Sequence, residues 1–190
     1  MIWEKHKGFS LEVLRPPLEE PLAGRLRSGE WKDILPGCDG PLWNPLRPEQ
    51  ILTGLERRIN AEEAFLLRCL SGGVSPGQDG HNREDVILGL DRISPWNGRA
   101  HLFWWASRDQ QNRKILAEPL KRLVQHAFLL LRLRRLSVLA EPGPMETTLR
   151  SFGFEKEGTL REWGWVPGGD EYFDVGVFGC LRRECLVLNV

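Results

Sequence analysis

The sequence lacks a net charge, since 26 lysines and arginines balance 26 aspartates and glutamates. No global field therefore draws the chain to nucleic acid or to an anionic membrane, and neither partner is expected. It also lacks any apolar run of membrane-spanning length. The opening Met1-Ile-Trp-Glu-Lys-His-Lys-Gly has no apolar core of a signal peptide. Its four cysteines, Cys38, Cys69, Cys180 and Cys185, form no C-x-x-C pair and no ligand rhythm with histidine. Cys69 and Cys180 sit in apolar runs, where a cysteine is usually a small core residue. A reduced, cytoplasmic chain without structural metal is the expectation.

Tyrosine is nearly absent, one against eight tryptophans. Each buried indole N–H needs an acceptor, so eight tryptophans do not share one core easily. Some are expected to line a groove or a subunit contact, with Trp31, Trp43 and Trp163 as groove candidates. Scattered, partly exposed tryptophans are the alternative.

At 190 residues the chain is read as a single domain, 1–190, with no repeat and no linker-like break. Phe9-Ser-Leu-Glu-Val-Leu-Arg alternates and ends at Pro16-Pro17, a first strand. Leu18 to Leu26 reads as a short helix. Pro48 to Ala61 reads as a better one, with Ile51, Leu52, Leu55 and Ile59 in one stripe. Strands follow over Ala64–Leu70, Asp85–Ile93 and Ala100–Ala106, the last two joined by the turn Pro95-Trp-Asn-Gly. The glycine-rich loop 71–82 between the first two lacks Walker spacing. Leu120, Leu123, Val124, Ala127, Phe128 and Leu131 mark the strongest helix. Leu136–Ala140 is a strand, and Pro144–Ser151 a helix that stops at Gly153.

The chain closes on a hairpin. After Phe152-Gly153 a long ribbon with Thr159, Leu160, Trp163, Trp165 and Val166 forms one arm and Pro167-Gly-Gly-Asp the turn, and the return arm is read from Tyr172 to Leu188. Within it, Gly153-Phe-Glu-Lys-Glu-Gly-Thr-Leu-Arg, Gly169-Asp, and Asp174-Val-Gly-Val-Phe-Gly-Cys-Leu ahead of Glu184 resemble the close of RimJ/RimL-type protein N-acetyltransferases of the GNAT superfamily. Leu11-Glu-Val-Leu-Arg-Pro is similar to their opening strand. The resemblance is specific over roughly the last forty residues. It implies an α+β fold: a mixed, mostly antiparallel seven-stranded sheet, splayed between its fourth and fifth strands and flanked by about four helices. It further implies acetyl-CoA, or another acyl-CoA, in that gap. The amine acceptor, a small molecule or a protein N-terminus, would come from the opposite face. A homodimer or larger assembly is implied only by the resemblance.

The family's cofactor loop ends at a helix N-terminus, whose free N–H groups and dipole hold a pyrophosphate. Here the matching stretch is Gln111-Asn-Arg-Lys-Ile-Leu-Ala117. Gln111 fits the pattern, while Lys114 and Leu116 replace small residues, so the loop is degenerate. Pro119 places the helix start near Glu118 or itself. Arg113 and Lys114 could contact phosphates as charges, or be solvated loop residues. Trp105, Ile115 and Ala117 complete the cofactor-binding candidates. Where the family often has an asparagine, serine or tyrosine, this chain has Pro142, Met145 and Leu149, which carry no proton. The family's general base on the fourth strand falls at His101, whose imidazole titrates near neutrality. Asp91 is the second catalytic candidate, and Asp174 is read as a support of the hairpin. No metal site is expected.

Two functions follow. One is an acyl-CoA-dependent N-acyltransferase, in which an amine attacks the thioester directly. The other is a GNAT-fold protein without catalysis, acting as a binding or assembly subunit. A cleft that takes its acyl group from a carrier protein stands between them.

Overall fold

The computed structural model describes residues 2–6, 9–18, 34–36, 48–71, 86–107, 116–165 and 172–188. In chain order its elements are β1 (Ile2–His6), β2 (Phe9–Leu14), β3 (Ile34–Pro36), α1 (Pro48–Asn60), β4 (Phe65–Ser71), β5 (Val86–Ser94) and β6 (Arg99–Ser107). Then come α2 (Ala117–Gln125) with a π-helical extension over His126–Leu130, β7 (Arg135–Ala140), α3 (Pro144–Ser151), β8 (Glu155–Trp165) and β9 (Tyr172–Leu181). The strands form one sheet in the order β1-β2-β4-β5-β6-β7-β9-β8, with β3 beside β6. The seven expected strands are β2 and β4 to β9. The expected helix over Leu18–Leu26 lies mostly outside the described residues, among which there are three α-helices.

Two strands were not foreseen. β1 pairs with β2 over four rungs, and the three-residue β3 pairs with the far end of β6. Neither has the length or alternation that marks a strand in sequence. The hairpin also needs a correction, because its return arm ends at Leu181. Arg182–Glu184 and Leu186–Leu188 are 3-10 turns instead. The Glu184 carboxylate reaches back to the Leu181 N–H, and the Arg182 N–H is bonded to the Arg134 carbonyl, which turns the chain off the sheet.

Among the described strands only β6 and β7 run parallel. A parallel pair needs a crossover, and α2 supplies it. Leu120, Leu123, Val124, Ala127 and Phe128 of that crossover are fully buried, as their spacing predicts. The helix begins at Ala117, slightly earlier than expected. Pro119 sits in its first turn, where a missing N–H costs no intrahelical bond. Beyond Gln125 the Leu131 N–H bonds to the His126 carbonyl, five residues back. His126 there stacks on Phe65 at 5.1 Å and 13°.

The opening of the hairpin is fixed by Gly153. Its φ is +94°, and a Cβ would lie 2.3 Å from the Glu184 carbonyl oxygen. A side chain is therefore excluded twice, by backbone conformation and by space. Asp174 braces the same hairpin, its carboxylate accepting the Glu162 N–H at 2.9 Å. Cys69, Cys180 and Cys185 are buried free thiols, and Cys38 lies outside the described residues.

Two predictions follow from this packing. Gly153→Ala is expected to destabilise the fold by about 2 kcal/mol, read as a lower urea midpoint at unchanged m-value. Burial lowers the His126 pKa from 6.5. The unfolded chain then binds a proton before the folded one does, so stability should fall as pH drops below 6.5. Thermal melts of His126→Gln should lose that part of the pH dependence; an unchanged slope would remove His126 as its source.

Candidate active site at the parting of two strands

β6 and β7 pair through only three rungs: Arg99 with Arg135, Ala100 with Leu136, and His101 with Ser137. Beyond them β6 runs on to Ser107 and β7 to Ala140 without touching. This is the expected splay, and His101 stands at its apex. On the other side of β6, His101 is opposite Asp91 of β5. Residues directly opposed across neighbouring strands share a face of the sheet. Asp91, His101 and Ser137 therefore form one polar row across three strands.

The row is bonded. Ser137 Oγ lies 3.1 Å from His101 Nδ1 and 3.5 Å from the Ala100 carbonyl oxygen. Asp91 is only 4% exposed and carries an ion pair to Arg58 of α1, Nε to Oδ1 at 2.9 Å. The separation makes an ion pair, although the angle falls short of a hydrogen bond. Beyond Ser137 the row continues over Gly179, whose face is covered by the Glu157 carboxylate and the Arg135 guanidinium, themselves a salt bridge. That contact holds the Glu157 carboxyl below its ordinary pKa. A β-bulge follows Asp91, with Arg92 at φ +50°, so the regular ladder ends at the catalytic candidates.

Phe103 and Trp105 occupy the same face of β6, in the arm beyond the apex. Phe103 lies across Gly89, where a Cβ would come within 2.4 Å of the ring. Trp105 packs on Phe103 at 5.4 Å and 49° and is 2% exposed. Its indole N–H is buried without an acceptor among the described residues. Trp104 Nε1 is likewise buried without an acceptor, and at Trp105 the strand margin is paired with Pro36 of β3.

The two catalytic candidates, His101 and Asp91, are brought together. Ser137 was missed in the sequence. Its only signal was a hydroxyl within the apolar strand Leu136-Ser-Val-Leu-Ala. Leu116 is buried in the core, so its side chain is not presented to a ligand, while Ala117 opens α2. Gln111, Arg113, Lys114, Ile115, Trp31 and Trp43 lie outside the described residues. Trp163 is 47% exposed on edge strand β8, two strands beyond β7, and is not brought to His101. Met145 and Leu149 are core residues, as their apolar side chains require.

No family model matches the chain. The described strands and helices superpose on solved acetyltransferases over nearly their whole length. One is a ribosomal-protein-S5-alanine acetyltransferase from Vibrio fischeri, at TM-score 0.67 and 14% identity, covering 96% of this chain and 97% of that one. Another is a spermidine N-acetyltransferase from Vibrio cholerae solved with CoA and spermine, at TM-score 0.68 and 14% identity, covering 97% and 100%. A third is RimL, a ribosomal L7/L12 alpha-N-protein acetyltransferase, at TM-score 0.63 and 16% identity, covering 95% and 94%. The fold is that of the GNAT acetyltransferases. In sequence, the chain is 32% identical over 105 residues to an uncharacterized N-acetyltransferase, p20, from Bacillus licheniformis. That match takes in 53% of this chain and 58% of the length of that relative. No helix among the described residues is long and apolar enough to cross a membrane.

The buried charge pair beneath the site gives a stability prediction. Arg58→Met should cost about 3 kcal/mol by leaving Asp91 buried and unpaired, and Arg58→Met with Asp91→Leu should recover most of it. Equal urea midpoints for the single variant and the parent would remove the pair from any role in holding β5.

Proposed function

We propose that the protein is an acyl-CoA-dependent N-acyltransferase that moves an acetyl group to an amine by direct attack. The observation that carries this reading is His101 at the apex of the splay, with its Nδ1 on Ser137 Oγ at 3.1 Å. With the Ser137 hydroxyl turned to the Ala100 carbonyl, Oγ accepts the Nδ1–H and Nε2 becomes the nitrogen that takes a proton. An amine that had lost its proton to Nε2 would attack the thioester carbonyl of a bound acyl-CoA. A backbone N–H of β6 beyond the apex would stabilise the oxyanion; the C–S bond would then break, and the nitrogen's surplus proton would pass to the departing thiolate or to solvent. Asp91, opposite His101 in the row, acts as a positioning carboxylate.

The chain's own residues suit an acyl-CoA. The open margin of β6 offers backbone groups to an amide-bearing arm, and Trp105 Nε1 is a buried donor seeking an acceptor. The N-terminus of α2 has no side-chain cap, leaving its first amides for an anion. Arg113 and Lys114 would add charge where the degenerate loop has lost its small residues. CoA in the spermidine acetyltransferase neighbour supports this choice of donor. Bound there, it would supply the activated acyl group. The acceptor is an amine, on a small molecule or a protein N-terminus, as in the neighbours' own activities. A cytoplasmic setting and a dimer belong to the same reading. The non-catalytic alternative draws no support from the relatives.

Calorimetric titration with acetyl-CoA should show binding that weakens with Arg113→Ala, and absence of heat at millimolar ligand would overturn the proposal. In a thiol-release assay at pH 7, His101→Ala should lower kcat/KM by about a hundredfold. Ser137→Ala should cost less and shift the acidic limb of the pH profile.

A further inference from the structure

The same three rungs that hold His101 begin with a pair of arginines, Arg99 opposite Arg135. They lie two residues before the His101–Ser137 rung, about 7 Å along the strands. From there an arginine-rich end face extends away from the splay. A hollow of about 640 Å³ is walled by Arg134, Arg135, Arg182 and Arg183, with Leu129 and Leu188 among its apolar lining. Arg135 is paired with Glu157 and Arg183 with Glu184, while Arg134 and Arg182 have no ion pair among the described residues. The Gly98 carbonyl accepts the N–H groups of Arg134 and Arg135, which fixes the Trp96 turn against the same end. Trp96 is 99% exposed, and Leu130 69%.

This concentration is local, because the whole chain is electrically neutral. Guanidinium groups match carboxylates in bidentate geometry, and arginine with tryptophan is the composition of protein-binding hot spots. The leucine lining is concave, so it receives single apolar side chains from a polypeptide better than the plane of a bilayer. A row of guanidinium groups one step from the base also repels a polycation. We infer that this end face docks an acidic polypeptide with apolar anchor residues, and that this polypeptide carries the acceptor amine. The docking role stands by itself; the acceptor role rests on the transferase reading above.

A labelled synthetic peptide of alternating glutamate and leucine tests the first part by fluorescence anisotropy. Binding should weaken more than about tenfold with Arg134→Glu and Arg182→Glu together, and also weaken as salt rises. Arg134→Lys with Arg182→Lys should retain most of it, which separates lost charge from lost folding. Equal binding of a lysine–leucine peptide, indifference to the glutamate pair, or preferred binding to phosphatidylserine vesicles would overturn the inference. For the second part, transfer to the acidic peptide should show a KM well below that for spermidine. Wild-type turnover with a small primary amine reports the transferase reading separately. Active enzyme that favours spermidine sinks the acceptor role alone.

Discussion

The structure depends on β6 and β7 meeting for three rungs and then separating. A parallel pair contributes its hydrogen bonds only while the strands stay in register, so ending it early leaves backbone groups without partners. The cost is met on both flanks. β5 holds β6 from Ser94–Arg99 to Ile87–Trp105, and β9 holds β7 over all six of its residues. Each arm of the splay is thereby a firm edge rather than a frayed one. The crossover helix that joins them buries its apolar face completely.

At the apex, polar groups on one face of a central strand would normally be a liability. Here each is answered by a neighbour: Asp91 by Arg58, His101 by Ser137, Glu157 by Arg135. The row has as many cations as carboxylates among these pairs, with the imidazole between them. Such an arrangement holds a base in place without surrounding it with uncompensated charge.

Much of the scaffold was legible because its signals are local. The stripe Leu120, Leu123, Val124, Ala127, Phe128 named the crossover, and the apolar runs within Asp85–Ile93 and Ala100–Ala106 named two central strands. Gly153 was recognisable as a stop, and the left-handed backbone there gives the reason. What was not legible depends on register and on distant partners. Ser137 is an unremarked hydroxyl until β7 is set beside β6. Leu116 looked like a cofactor-loop position and is core, because one apolar residue before a helix carries no mark of which way it points. The return arm was read seven residues too long, since Cys185-Leu-Val-Leu alternates poorly but is as apolar as a strand. His101 and Asp91 emerged from sequence separately; their meeting comes from the pairing of β5 with β6.

The short β3 has a consequence of its own. Trp105 has Ile87 on one side and Pro36 on the other, so β3 runs along the margin of β6 that faces the gap. Among the described residues the unpaired stretch is then Leu102 to Trp104, roughly 10 Å of strand at the usual rise. It is bounded at one end by the last rung with β7 and at the other by β3. Among the described residues the unpaired margin of β6 is thus bounded at both ends rather than open at its far end. Any ligand that bonds to this margin of β6 therefore has about three residues of strand to use.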